Sequence, residues 1–462
     1  MIERVLTPDR PHQSSEAEAP TDRGAARTLA LSVAWVVWAT FAQLVRGPAT
    51  RAPDAIWAED AAFLNHAIHR TAWENLLTPH AGYVQVVCRL LSDAVALLPP
   101  SWMAVGIAAG ASVVVSLLSL VVWFASASVL SSPWARMTVT ALVPLLPQAS
   151  FEVNATGANL HWFLAYAAFW VLLAAPTSIR GQVVGSLVVL VAALSDPLTA
   201  LVLPAAVLGA FVRRRRSFIV PSVMVVGLVV QGAVRLGQPP LQWVKSDPHQ
   251  LPWIYGLRVL TSSAIGDREL GLFYDTFGLT GVLVVSAVLA TLFLKILSLV
   301  NRETRLVALL AATTSVAYLC IPLALRGNEG YLDHGPLFLS GSRYTIVPLM
   351  FLWLAVIAVV DKVLTQRGQP HAFRLAPIAI TALLSLQLVA SVGGETVRSH
   401  SPSWEDDVRR AAETCTQAPP TTEPQPRLAF ADHPGPGEVQ IVVAPSGLAI
   451  PWGVVMPCDR LR

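Results

Sequence analysis

Apolar runs of membrane-spanning length recur along the chain, and a helix needs about 17–25 residues to cross a hydrocarbon core. They predict helical spans near 29–45, 103–129, 137–149, 160–175, 183–197, 198–212, 217–234, 279–298, 306–325, 345–360 and 375–392. That is eleven, an odd number, which would place the two termini on opposite sides of the membrane. The third and fifth spans are short and depend on neighbouring helices to cover their ends. A different pattern occupies 84–98. There Val84, Val87, Leu91, Val95 and Leu98 share one helical face, and Gln85, Arg89 and Ser92 another. Pro79 precedes this segment and Pro99-Pro100 ends it, so it is read as a helix lying in the membrane interface. Arg89 and Asp93 are spaced on it as an i,i+4 pair. A third pattern begins at Gly393, with 15 charged residues and 10 prolines in 70.

Composition agrees with the spans. Of 462 residues, 54% are hydrophobic and 13% charged, against about 25% charged in soluble domains. The mean hydropathy is +0.56. This excludes a soluble enzyme, a secreted disulfide scaffold, a disordered chain and a DNA binder, and the net charge of +3 gives no reason to expect a nucleic-acid partner. Lysines occur only at 245, 295 and 362, and an arginine-rich, lysine-poor chain suggests a GC-rich bacterial genome, so the membrane the apolar spans cross is expected to be a bacterial plasma membrane. The expected division is a polar cytoplasmic tail over 1–28, a transmembrane domain over 29–392 and a small C-terminal domain over 393–462. The tail carries charges of both signs and lacks the form of a cleaved signal peptide.

Charge placement orients the spans. Arg136, Arg180, the run 213–216, Arg302 with Arg305, and Lys362, Arg367 and Arg374 fall in one set of short loops. Such loops stay inside, so the N-terminus is expected in the cytoplasm and the C-terminus outside. Of the 29 acids, 7 then lie inside and 22 outside. The polar surface is external: loops 46–102, 150–159, 235–278 and 326–344, with the tail from Gly393.

The first of these loops carries the sharpest chemistry. Trp57-Ala58-Glu59-Asp60 opens a stretch in which Phe63 and Ala67, and Leu64 and Ile68, stand at helical spacing. The two acids therefore sit near a helix N-terminus, whose dipole favours their ionised forms. An acid there can cap the helix, serve as general base toward a hydroxyl, or hold a divalent cation that neutralises a departing phosphate.

With this layout the chain resembles the GT-C superfamily of membrane glycosyltransferases. The resemblance rests on an acidic motif after the first span and an amphipathic helix before the second. The strings WAEDAAFL (Trp57–Leu64), ANLHWFLAYAAFW (Ala158–Trp170) and LSDPL (Leu194–Leu198) are similar to those of bacterial membrane proteins of the same layout. It implies transfer of a sugar from a polyprenyl phosphate to an acceptor outside the membrane, with Asp60, or Glu59 one register away, as the base. It also implies a carboxylate or polar group from the second external loop, for which Glu152, Asn159 and His161 are the matching residues.

Further candidates surround these. Asp196, before Pro197, is either a turn starter or a wall of the same cavity. Arg343, opening a late span with Tyr344, suits a lipid phosphate, because its guanidinium is a planar, bidentate fork; its alternative is a snorkelling arginine among ordinary lipid headgroups. His80, Arg89 and Lys245 complete the substrate-binding set. In the tail, the stretch from Trp404 to Cys415 reads as a helix and Val439–Val443 as a strand. An external tail meets an oxidising compartment, where Cys415 and Cys458 are expected to pair and close a small cap. Cys88 and Cys320 read as ordinary apolar residues.

The expectation is an all-α, eleven-span membrane protein of GT-C-like layout. Its activity would be an inverting glycosyl transfer from a polyprenyl-phosphate donor. The competing class is a non-catalytic polyprenyl-lipid binder or a transporter on the same fold. A transporter would normally carry an internal repeat with ionisable groups at mid-membrane, and here they gather at one mouth.

Overall fold

The computed structural model describes residues 22–46, 52–150, 152–213, 218–239, 246–328, 330–332, 342–366, 371–392, 401–417, 435, 437–443 and 451–462. Among them, seven helices are long and apolar enough to cross a membrane. They are α1 (Asp22–Val45), α5 (Met103–Ser126), α10 (Ile219–Leu236), α13 (Leu270–Leu297), α14 (Arg302–Arg326), α15 (Arg343–Thr365) and α16 (Ala376–Val392). Shorter helices lie between them: α6 (Pro133–Leu145), α7 (Leu160–Ala174), α8 (Ile179–Ser195) and α9 (Pro204–Arg213). A 3₁₀ turn, Pro197–Val202, joins α8 to α9. The protein is a multi-pass membrane protein built from helices.

Its core is α7, in which every residue from Leu160 to Leu173 is buried. Phe351 of α15 sits 5.3 Å from the ring of Tyr166 and 4.9 Å from that of Phe169. The rims are the reverse. Of the best apolar windows of α13 and α16, only 6% is buried, so Phe277, Val284, Ile378 and Leu386 stand exposed. An apolar helix left so largely exposed has hydrocarbon as its solvent. α1 is held by polar contacts along α5: Trp35 donates to Ser119 (2.7 Å), Thr40 to Ser116 (3.2 Å) and Gln43 to Ser116 (3.1 Å). Hydrogen bonds of this kind hold helices together where lipid gives no hydrophobic drive.

Between α1 and α5 come three short helices: α2 (Glu59–His69), α3 (Ala72–Leu77) and α4 (Val86–Ala96). α3 starts at a Thr71–Glu74 capping box, a four-residue signal that apolar spacing alone overlooks. Arg89 differs from its expected place on a polar helical face, because it is fully buried. Its Nη1 donates to Asn75 Oδ1 at 2.7 Å, and Asn75 Nδ2 donates to Asp93 Oδ1 at 2.7 Å. Asn75 thus bridges the residues expected to pair directly, and α3 covers the face expected to meet solvent.

The C-terminal residues form a cap on this loop region. α11 (Leu251–Tyr255) and α12 (Ser262–Ile265) precede α13, and the cap follows α16 with α17 (Trp404–Gln417) and the antiparallel strands β1 (Glu438–Val442) and β2 (Gly453–Pro457). Cys415 and Cys458 are joined by a disulfide, with Cα atoms 5.6 Å apart. Asn65 of α2 reads the edge of β2, donating to Gly453 O and accepting from Val455 N–H, both at 2.8 Å. Trp404 donates to Pro100 O at 2.8 Å. The helix that opens on Glu59 and Asp60 is therefore pinned between the cap and the bundle.

Candidate active site

One end of the bundle, the end that carries the cap, holds a cavity of about 430 Å³. That is within the usual range for a small-ligand site, roughly 300–1,000 Å³. Its walls come from distant parts of the chain: the start of α2, the His80–Tyr83 turn, the mouth of α7, the Asp196 turn, the last turns of α10 and α14, and the first turn of α15.

Local sequence explains each wall. The chain enters α2 through Ala58, whose φ is 37°. A non-glycine residue there costs on the order of 1 kcal/mol, and the turn it makes sets Glu59 and Asp60 in the first helical turn. The His80–Tyr83 turn likewise uses Ala81 at φ 53° and Gly82 at φ 88°. It is fastened to α10 by Gln231, which donates to Val84 O at 2.9 Å and accepts from Val84 N–H at 3.0 Å.

The two acids play different parts. Glu59 lines the cavity, and its Oε1 receives Arg343 Nη1 at 2.5 Å. Asp60 does not line it. Asp60 Oδ1 accepts from Ala158 N–H at 2.7 Å, bracing the segment that leads into α7. Gly157 permits that approach, since a Cβ there would stand 3.1 Å from Asp60 Oδ1 and 3.1 Å from Leu91 Cδ2. Glu152 is also behind the wall: its Oε2 accepts from Arg343 N–H at 3.2 Å and from Ser342 Oγ–H at 3.3 Å. It thereby caps the start of α15.

Of the residues expected from sequence, the cavity gathers Glu59, His80, Asn159, His161, Asp196, Arg343 and Tyr344. Asp60, Glu152 and Arg89 stand behind its walls, and Lys245 lies outside the described residues. Asn159 is locked by Thr156 (2.8 Å) and by the indole of Trp162 (3.2 Å). His161 Nδ1 meets Ala158 O at 2.9 Å, which assigns the proton to Nδ1 and leaves Nε2 as an acceptor. Its ring lies against Trp162, and Trp162 is edge-on to Tyr344 at 5.7 Å. Asp196 Oδ1 accepts from Leu198 N–H at 2.8 Å, while its Oδ2 is buried with no hydrogen-bond partner.

Two cations were not anticipated. Arg235 and Arg326 end α10 and α14 on the cavity wall. Arg326 lies 5.9 Å from the Tyr83 ring, and a Cβ on Gly82 would be 3.3 Å from Arg235 Nη1. The signal for them was their position. Each closes an apolar span at the end opposite the arginine-rich loops, where the positive-inside rule leaves few cations. Three guanidinium groups thus face two carboxylates, Glu59 and Asp196, and one of these is already paired. The arrangement suits an anion, with aromatic and amide groups beside it for a polar, uncharged body. Among the described residues, no three His, Cys, Asp or Glu side chains gather as a metal site.

His80 is neutral in this setting. Burial lowers its pKa to about 4; the charge of Glu59 opposes the shift, and Arg89, Arg326 and Arg343 reinforce it. The unfolded imidazole titrates near about 6.5, so the unfolded chain binds the proton first as pH falls. His80 therefore contributes stability that is full above about pH 6.5 and is lost on descent toward pH 4. The thermal midpoint of the wild type is expected to fall more steeply across that window than that of His80→Gln. Parallel profiles would show that His80 carries no such linkage.

The chain matches no protein-family model, no curated protein and no solved structure.

Proposed function

We propose that this protein transfers a sugar from a polyprenyl-phosphate carrier to an acceptor hydroxyl on the outer face of a bacterial plasma membrane, on an eleven-span, GT-C-like fold. The observation that carries this reading is the meeting of Glu59 with Arg343, Arg326 and Arg235 in one cavity at the ends of apolar helices. A lipid-borne phosphate needs cations at that depth, and a displacement at a sugar carbon needs a carboxylate beside them. The seven long helices, with α6, α7, α8 and the unit ending in α9, account for eleven spans on this reading. The N-terminus is then cytoplasmic, and the cap and cavity face outward.

In the proposed reaction Glu59 takes the acceptor's proton as the acceptor oxygen bonds to the anomeric carbon. The bond from that carbon to the carrier's phosphate oxygen breaks, and the electron pair leaves on the phosphate. Arg343 meets the developing charge, with Arg326 beside it. One displacement inverts the anomeric configuration. Asp60 acts through Ala158, holding the mouth of α7, and His161 with Asn159 offers hydrogen bonds to sugar hydroxyls.

A second reading has its own observation. Glu59 is paired with Arg343 and Asp60 receives Ala158 N–H, as in a protein that binds the carrier without turning it over. The first test serves both readings. Mass spectrometry of lipids that co-purify with the wild type is expected to find a polyprenyl phosphate or its sugar-charged form, lost in Arg343→Ala. Ordinary phospholipid alone in both preparations would overturn the carrier assignment.

A further inference from the structure

The cavity carries its own counter-anion. Arg343 Nη1 and Glu59 Oε1 are 2.5 Å apart, and both residues line the space. The other Glu59 oxygen, Oε2, is buried there with no hydrogen-bond partner. The backbone of Arg343 is held separately, through its N–H to Glu152, so its guanidinium can change partner without moving α15. Facing Glu59 are Arg343 from α15, His80 from the turn and Cys88 from α4, with Asp60 next in the chain. Arg343 is the one group among these that is cationic at neutral pH.

We propose that the Glu59–Arg343 pair is a displaceable internal ligand: the phosphate of an incoming lipid takes Arg343 and releases Glu59 into the cavity. The inference rests on the preceding reading that a lipid-borne phosphate is the ligand. The sugar-bearing carrier is a phosphodiester with one charge and two free acceptor oxygens. It matches the carboxylate in charge and takes Arg343 because Arg326, on the same cavity, can share it. The spent carrier, a monoester, brings nearly two charges and three acceptor oxygens. The released carboxylate loses its cation and gains an anionic neighbour, and both changes raise its affinity for a proton. Glu59 then becomes a working base only after the carrier is bound. The carrier binds first and the acceptor second.

The pair makes an unusual forecast, because deleting a carboxylate from the site should improve binding. Farnesyl phosphate, a short polyprenyl phosphate, would be titrated onto the full-length protein in nanodiscs of zwitterionic phospholipid. Glu59→Gln is expected to bind it about tenfold tighter than wild type, on the scale of about 1.4 kcal/mol per tenfold, and Arg343→Gln to lose it. Glu59→Ala should move in the same direction, which guards against a defect peculiar to the amide. Measured at about pH 9, where a buried carboxylate is ionised, Asp196→Asn removes a full charge from the cavity without touching Arg343, so displacement predicts a gain at least about threefold smaller there. Equal gains at 59 and 196 would reduce the effect to bulk charge and overturn the proposal. Equal or weaker binding by Glu59→Gln, with wild type still binding, overturns it and leaves the carrier reading intact. Failure of folded wild type to bind at all removes both.

Discussion

Replacing Gly232 with Trp is expected to abolish binding of the proposed lipid-phosphate ligand, by about 100-fold or more, while leaving the thermal midpoint unchanged or raised. Gly232 lines the cavity from α10, and a Cβ built there meets nothing within 4 Å. A β-carbon at this position therefore strains no neighbour, and a larger side chain extends from the cavity wall. Glycine inside a helix costs roughly 0.5–1 kcal/mol against alanine, so the fold should gain slightly. A graded series of Ala, Leu and Trp separates the causes. Alanine should bind like the wild type, leucine more weakly and tryptophan negligibly, since 100-fold corresponds to about 2.7 kcal/mol. Unimpaired binding in a folded Gly232→Trp would place the ligand outside this cavity.

The case of Gly232 shows what a sequence conceals. The apolar run that became α10 was legible, because hydrocarbon demands one kind of residue over about 20 positions. The start of α2 at Glu59 was legible too, from apolar pairs at helical spacing. What sequence could not supply was which ends of those runs converge. Arg235 and Arg326 are separated by most of a hundred residues, yet they line one cavity, and no local pattern links them. Only the departure from the positive-inside rule marked either one. Arg89 shows the opposite limit: its i,i+4 partner was visible, but Asn75 of α3 interposes and α3 buries it. In both cases local spacing is settled by local physics, while burial depends on which element docks against it.

The division of labour between the two adjacent acids is where tertiary placement matters most, and it sets the last prediction. Once the co-purified carrier identifies a donor, Glu59→Gln is expected to lower sugar transfer by about 10²–10⁴-fold, the usual contribution of a general base. Asp60→Asn should lower it by no more than about tenfold. The difference follows from the walls: Glu59 faces the cavity, whereas Asp60 spends Oδ1 on Ala158 N–H, a bond an asparagine oxygen can keep. Asp60→Ala cannot keep it, leaving a buried amide without its acceptor at a cost of about 1–3 kcal/mol. It should loosen the segment that sets Asn159 and His161, raising KM more than it lowers kcat. Rescue by asparagine but not alanine is the signature of a positioning residue. If Asp60→Asn were as inactive as Glu59→Gln, Asp60 would have to reach the substrate itself, and the cavity wall would have to open around Gly157 to let it do so.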